Sequence, residues 1–83
     1  MNVLYFAWLR QKIGCGEETM VLPPGVETVR ALAEHLRAKG GGYAEAFADL
    51  SRLRVAVNQE HTGFDSRIGP DDEVAFFPPV TGG

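Results

Sequence analysis

The residues with the most distinctive chemistry stand at the end of the sequence, in Thr81-Gly82-Gly83. Two final glycines carry no side chains, so such an end can enter a narrow channel and present its carboxyl group to another protein. The α-carboxylate has a pKa of about 3.5, so it is ionised at neutral pH and is a poor electrophile. Adenylation by ATP would convert it into a mixed anhydride, and attack by sulfide or persulfide would then give a sulfur-delivering thiocarboxylate. The sequence supplies no catalytic base for this chemistry, so we expect a partner enzyme to perform it.

A pair of prolines separates this end from the rest of the chain. Pro78 and Pro79 fix φ near −65° and favour an extended, stiff backbone. At roughly 3.3 to 3.6 Å per residue, residues 78–83 can project about 20 Å. We therefore predict a folded domain over residues 1–77 and an extended diglycine tail over residues 78–83. The candidate partner-binding residues are Phe77, Pro78, Pro79, Val80 and Thr81. A flexible, functionless end is the alternative, which the proline pair and the fold pattern disfavour.

The elements that must hold this tail follow from the spacing of apolar residues. Thr28 is suited to cap a helix, because its hydroxyl can accept a bond from a free backbone N–H. The apolar residues behind it recur at helical spacing, and we expect the Gly40-Gly41-Gly42 run to end that helix. A shorter helix is predicted over residues 43–50, one helical turn over residues 9–13 and a minor strand near His61. The main strands are predicted at residues 2–8, 17–22, 53–58 and 73–77.

This order of elements indicates the fold. Two strands precede the main helix, and two or three follow it, which favours a mixed sheet with a helix on one face. We predict an α+β chain of the β-grasp (ubiquitin-like) class, with four to five strands and one main helix. Alternation divides the last strand into Val74 with Phe76 and Ala75 with Phe77, and both sets are apolar. Since one helix covers one face, we expect the other face to dock on a partner, with Phe77 as its anchor.

Composition excludes several classes of function. A net charge of −3 without a basic cluster argues against nucleic-acid binding. No apolar run approaches the roughly 18 residues needed to span a bilayer, so no membrane role is expected. The single Cys15 and the lack of a secretion signal predict a cytoplasmic protein without an internal disulfide. His35 and His61 lack metal-ligand spacing, so no metal site is predicted. The acidic run Asp71-Asp72-Glu73 is interpreted as a solvated turn, with docking as its alternative role.

Three segments resemble the MoaD family, the small subunit of molybdopterin synthase. They are residues 71–83, which include the approach Asp71-Asp72-Glu73-Val74 to the last strand, residues 55–60 and residues 3–10, and the similarity runs in order along essentially the whole chain. The C-terminal segment, with its Phe-Phe-Pro-Pro and Gly-Gly, is the specific part. The glycine run at residues 40–42 departs from the family's pattern and leaves the conformation of that loop open.

The resemblance implies a cycle of sulfur transfer in molybdenum cofactor biosynthesis. A MoeB-like adenylating enzyme would use ATP to activate the carboxyl group of Gly83, next to Gly82, and a sulfur donor would make the thiocarboxylate. The tail would then enter a pocket of the large catalytic subunit and pass sulfur to cyclic pyranopterin monophosphate. Two such transfers would build the dithiolene of molybdopterin. The chain itself would be non-catalytic and would bind no cofactor.

Other functions share parts of this pattern. A thiamin-thiazole sulfur carrier ends in the same diglycine, although its chain is usually shorter. A ubiquitin-like protein modifier is a second relative, and a passive ubiquitin-like interaction module would not need its tail at all. A β-grasp iron–sulfur carrier is disfavoured because one cysteine cannot ligate a cluster through four thiolates.

Overall fold

The computed structural model describes residues 1–79, so the predicted roles of Val80, Thr81, Gly82 and Gly83 fall outside the described residues. The division into residues 1–77 and 78–83 stays a prediction for the same reason. Within residues 1–79, no helix is long and apolar enough to cross a membrane. The elements are β1 (Asn2–Tyr5), α1 (Trp8–Ile13), β2 (Glu17–Thr19), α2 (Val29–Arg37), α3 (Gly41–Ala46), a 3₁₀ turn (Leu50–Arg52), β3 (Arg54–Val57), β4 (Glu60–Thr62) and β5 (Glu73–Phe77).

The five strands form one mixed sheet in the order β2-β1-β5-β3-β4. The first and last strands run parallel in its centre, where Tyr5 lies opposite Phe76, and the other neighbours are antiparallel. The predicted β-grasp class is confirmed, including the minor strand near His61, which is β4. Because β5 lies between β1 and β3, the strand that leads into the tail is hydrogen-bonded along both edges.

The main helix is the one that the sequence indicates. Thr28 caps α2, and its hydroxyl accepts a hydrogen bond from the Ala31 amide at 3.2 Å. The apolar stripe of α2 packs against one face of the sheet, which holds the helix there by removing that stripe from water. The residues in the centre of this core are Val3, Tyr5, Val29, Leu32, Leu36, Phe47, Val55, Val74 and Phe76.

Strands β1 and β2 are shorter than predicted. Strand β1 ends at Tyr5 because Ala7 takes a positive φ of 56°, which turns the chain so that α1 begins at Trp8. Strand β2 ends at Thr19, and the last backbone contact beyond it joins the Met20 N–H to the Met1 carbonyl. An unbroken apolar stretch gives no sign of a turn, so the pattern alone overestimated β1.

The glycine run has a different role from the predicted helix stop. Helix α2 already ends at Arg37, and Gly40 instead precedes α3, which begins at Gly41. The prediction of a helix over residues 43–50 was therefore wrong at both ends. The next glycine, Gly42, faces the backbone of α1, since a Cβ atom there would lie 1.8 Å from the Lys12 carbonyl oxygen. Only a residue without a side chain allows α3 to lie this close to α1.

We expect Gly42→Ala to be clearly destabilising. The added methyl group would overlap the Lys12 carbonyl, so α3 must move away from α1, and overpacking of this kind costs about 1 to 3 kcal/mol. Chemical denaturation should show this loss in the free energy of unfolding. Gly63→Ala is the matched control, because a Cβ atom there meets nothing within 4 Å. Equal stability of the two variants would contradict the close approach of α1 and α3.

Candidate functional site

The described part of the tail begins where β5 leaves the sheet. Phe77 is the last residue of β5 and lies opposite Arg54 of β3, while Pro78 and Pro79 follow it and are half-buried. On the other side, the Phe6 amide donates to the Phe76 carbonyl at 3.1 Å, beyond the paired residues of β1. The root of the tail is thus held by neighbours on two sides, so a rigid sheet sets the direction in which the chain leaves it.

The opposite end of β5 is fixed by side chains. Asn58 donates from its amide group to Asp72 at 2.9 Å and accepts from the Glu73 amide at 3.0 Å. Asp72 also accepts from the Gly69 amide at 2.8 Å, and these hydrogen bonds hold the pKa of its carboxyl group below the ordinary value. The carboxylate of Asp72 therefore closes the turn before β5, in agreement with the turn interpretation of Asp71-Asp72-Glu73.

The two faces of β5 differ as alternation predicts. Val74 and Phe76 are fully buried on the face that the helices cover. Phe77 points to the other face and is only half-buried, although none of the described helices covers it. The structure thus shows which of the two alternating sets of β5 residues faces the helices, and it places the predicted anchor Phe77 on the uncovered side.

We call this uncovered side the open face. The register places Leu4 and Ala56 on either side of Ala75, and His61 lies opposite Ala56. Phe6 is 49% exposed, next to the position of Phe77 at the tail root. The ring of His61 lies 5.2 Å from that of Phe77. The open face comprises Leu4, Phe6, Ala56, His61, Ala75 and Phe77. Apart from His61 this strip is apolar, and Glu17, opposite Leu4, and Arg54, opposite Phe77, lie beside it.

Sequence reasoning missed two residues of the open face. The predicted first strand runs past Phe6 to residue 8, and His61 was considered only as a metal ligand and as the place of a minor strand. The signal that could have found them is the strand register, because residues opposite one another in a sheet share a face. That register depends on pairing between distant segments, and a single sequence does not reveal it.

A second polar cluster lies away from the tail. The carboxylate of Glu18 accepts hydrogen bonds from the hydroxyls of Tyr5, at 2.8 Å, and Tyr43, and Lys39 lies 3.9 Å from its other oxygen. Partial burial opposes the charge on Glu18, but these hydrogen bonds and Lys39 outweigh it and lower its pKa. Burial and the neighbouring carboxylate raise the pKa values of both tyrosines. The cluster joins β1, β2 and α3, so its role is to hold these elements together.

We expect Glu18→Gln to remove a pH-dependent part of the stability. A carboxyl group whose pKa is lowered by folding stabilises the protein above its unfolded pKa, and the effect disappears as pH falls through the folded pKa. The variant should therefore lose about 1 kcal/mol of unfolding free energy at pH 7, and the difference from the wild type should disappear as pH falls through the lowered pKa of Glu18. Thermal unfolding across this pH range measures both. Glu17→Gln is the control, because Glu17 is exposed, and a similar pH effect in it would argue against the cluster.

The residues considered for metal or thiol chemistry are not brought together. Cys15 is half-buried in the turn before β2 and forms no disulfide. Within the described residues 1–79, no group of three or more His, Cys, Asp and Glu side chains is placed to hold a metal ion. The predictions that the chain binds neither a metal nor a cofactor stay predictions.

Known proteins resemble this chain over its full length. The sequence profile of the ThiS family matches residues 3–83. The molybdopterin synthase sulfur carrier subunit of Haemophilus influenzae is 42% identical over 83 residues, covering 100% of this chain and 99% of that protein. The subunit of the same name from Escherichia coli is 41% identical over the same coverage. The crystal structure of SAMP1 from Haloferax volcanii matches with a TM-score of 0.73 and 25% identity, covering 100% of this chain and 98% of that one.

These similarities and the fold agree with the resemblance that the sequence segments indicate. The two sulfur carrier subunits align with all 83 residues, and the diglycine end lies within residues 3–83, which the family profile covers. The chain belongs to the ThiS family and, by its full-length identity to the sulfur carrier subunits, to the MoaD family.

Proposed function

We propose that this chain is the sulfur carrier subunit of molybdopterin synthase and serves molybdenum cofactor biosynthesis. The observation that carries the proposal is the full-length identity of 41 to 42% to two subunits of that name. The sequence supports it independently, because Gly82-Gly83 behind two prolines is the pattern expected of a tail that enters a narrow channel of a partner enzyme.

The proposed chemistry takes place at the carboxyl group of Gly83. Its oxygen attacks the α-phosphorus of ATP, a C–O–P linkage forms and pyrophosphate leaves. Sulfide then attacks the carbonyl carbon, the C–S bond forms, and the bond to AMP breaks, leaving a thiocarboxylate. Sulfur is a softer nucleophile than the carboxylate oxygen, so this group can add to an electrophilic carbon of cyclic pyranopterin monophosphate. Water later cleaves the acyl C–S bond, which leaves sulfur on the substrate and restores the carboxylate.

The folded domain has no catalytic role of its own and instead positions the tail for the reaction. We propose that the open face docks on the large catalytic subunit with Phe77 as anchor, while Pro78, Pro79, Val80 and Thr81 line the way into its pocket. The support is geometric, since Phe77 is half-buried on a face without helices and lies directly before the two prolines. A MoeB-like adenylating enzyme is the second proposed partner, and the cytoplasm is the proposed compartment. No cofactor is needed on this chain, because the activating enzyme uses the ATP.

Intact-mass measurement tests this proposal. The purified chain should gain about 16 Da after incubation with ATP, the activating enzyme and a sulfide source, because one oxygen is replaced by sulfur. Fragmentation should place the added mass on Gly83. No gain under conditions that convert the Escherichia coli subunit with its own enzyme would contradict the proposal.

The alternatives predict different products. A thiamin-thiazole carrier would also gain sulfur but would support thiazole formation in place of molybdopterin formation. A protein modifier would appear as a mass shift on lysines of other proteins. A passive interaction module would keep its cellular role without Gly82 and Gly83.

A further inference from the structure

The cations of this chain are not spread evenly over its surface. The sequence has eight lysines and arginines, and five of them lie within 4.0 Å of a carboxylate. The remaining three, Arg10, Arg52 and Arg54, form no ion pair with a carboxylate of residues 1–79, and all three are exposed. We call them the arginine cluster, because they lie at the same end of the sheet.

The strand register shows that this end is the one where the tail leaves. Arg54 lies opposite Phe77 across β3 and β5. Arg10 lines a surface depression with Phe6 and Gly16, at the end of β1 that lies beside the end of β5. Arg52 precedes β3 and lines a cleft with Trp8, the first residue of α1. Arg10 and Arg54 therefore flank the exposed Phe6 and the half-buried Phe77. Arg52 lies at the same end of the sheet, beside α1 and α3.

The carboxylates near the arginine cluster compensate its charge only in part. Glu17 lines the same depression as Arg10 but forms no ion pair with it within residues 1–79. Asp49 accepts hydrogen bonds from the amide and hydroxyl of Ser51, and the nearby charge of Arg52 also helps to lower the pKa of its carboxyl group, so Arg52 is partly compensated. Arg54 donates to the carbonyls of Leu53 and Ser51, neutral acceptors that keep its charge at the sheet end. In a chain of net charge −3, this end is locally basic.

We propose that the arginine cluster binds carboxylates at the entrance of the pocket that receives the tail, on the large synthase subunit. This inference rests on the proposed function. The cluster lies at the root of the tail, and residues 78–83 span about 20 Å when extended, so the arginines meet the rim of the pocket and not its reaction centre. An acidic rim complements three exposed arginines that form no ion pair within residues 1–79, whereas the net negative charge of the chain disfavours a nucleic acid.

Charges at the rim of an interface act mainly on the rate of association. They steer the partners together over distances that salt screens, with a Debye length of about 10 Å at 0.1 M and about 3 Å at 1 M. The arginine cluster should therefore speed docking at low salt. It should matter little at high salt, where the apolar open face determines how long the complex lasts.

The test is the association rate constant with the purified large subunit. The combined variant Arg10→Glu, Arg52→Glu and Arg54→Glu should associate at least about tenfold more slowly at about 50 mM salt, and the difference should shrink severalfold near 0.5 M. Arg37→Glu is the control, because Arg37 is also exposed but pairs with Glu34 on α2. It should change the rate by less than about twofold. Far-UV circular dichroism checks that each variant folds, and the corresponding Arg→Gln series should give an intermediate loss without introducing new negative charges.

Two results would overturn the inference. One is a combined variant that associates as fast as Arg37→Glu at low salt. The other is an arginine-dependent retention on duplex DNA with no arginine-dependent binding to the large subunit. The proposed function is judged separately by the mass gain of the wild-type chain. If the wild-type chain acquires sulfur normally but its arginine variants dock normally, the proposed function stands and the proposed role of the arginine cluster is wrong.

Discussion

Deleting Gly82 and Gly83 is expected to abolish both the mass gain of about 16 Da and the formation of molybdopterin, while the domain stays folded. The reactive carboxyl group would then belong to Thr81, two residues nearer the domain, and the carboxyl carbon would no longer reach the activating centre. The buried core residues lie between Val3 and Phe76, so the midpoint of thermal unfolding should shift by less than about 2 °C. Intact mass and calorimetry on the same sample measure both effects.

A variant with a tail of the same length distinguishes the effect of tail length from the effect of side chains on its last two residues. Replacing Gly82 and Gly83 by two alanines keeps the carboxyl group at the same distance but adds two methyl groups in the channel. We expect this variant to react at least about tenfold more slowly than the wild type, a difference of about 1.4 kcal/mol in the barrier. A deletion variant that supports molybdopterin formation at the wild-type rate would show that the diglycine is dispensable.

Phe77→Ala is expected to weaken binding to the large subunit by about 10- to 100-fold. The ring is half-buried on the open face, docking would bury the rest of it, and truncating such an aromatic anchor of an interface costs about 2 kcal/mol. Titration calorimetry or surface binding with the large subunit measures the change. The fully buried residues of β5 are Val74 and Phe76, on the other face, so the variant should remain folded.

Val21→Ala is the control for this measurement. Val21 is 87% exposed, and it follows the end of β2 where Thr19 pairs with Asn2, at the end of the sheet away from the tail. Its truncation should leave the affinity within about twofold of the wild type. If Phe77→Ala bound as tightly as Val21→Ala, the anchor role of Phe77 would be wrong.

The sequence was sufficient to predict the elements whose patterns are local. The cap at Thr28 and its apolar stripe predicted α2, and the alternation and flanking turns predicted β5 with its correct ends, Glu73 and Phe77. These signals depend on neighbours within one or two turns of the chain. The order of strands around one main helix was then enough for the fold class.

The features that could not be predicted from the sequence depend on contacts between residues far apart in the chain. The role of Gly42 arises from the backbone of Lys12, thirty residues earlier, and the glycine run was therefore interpreted as a helix stop. The face of Phe77 and the contact with His61 follow from the pairing of β3 with β4 and β5. The arginine cluster likewise unites residues of three separate elements, so no spacing along the chain reveals it.

The candidate site likewise has one part that the sequence predicts and another that only the structure shows. The tail chemistry of Gly83 was inferred from residue types alone, and its partners were inferred from the family resemblance. The structure adds the rigid root, since β5 is bonded to β1 and β3 and its first residue is held by Asn58. A central strand paired on both edges is a suitable base for a tail that must be aimed, because it resists local opening.

The most direct measurement compares the free chain with one that carries a few residues permanently fused after Gly83, each supplied with the activating enzyme, ATP, sulfide and the large subunit. We predict that the free chain acquires sulfur and yields molybdopterin, whereas the fused chain gains no mass at Gly83 and yields none, because its α-carboxyl group is locked in a peptide bond. Molybdopterin formation by the fused chain at the rate of the free chain would contradict the central claim that sulfur is carried on the carboxyl group of Gly83.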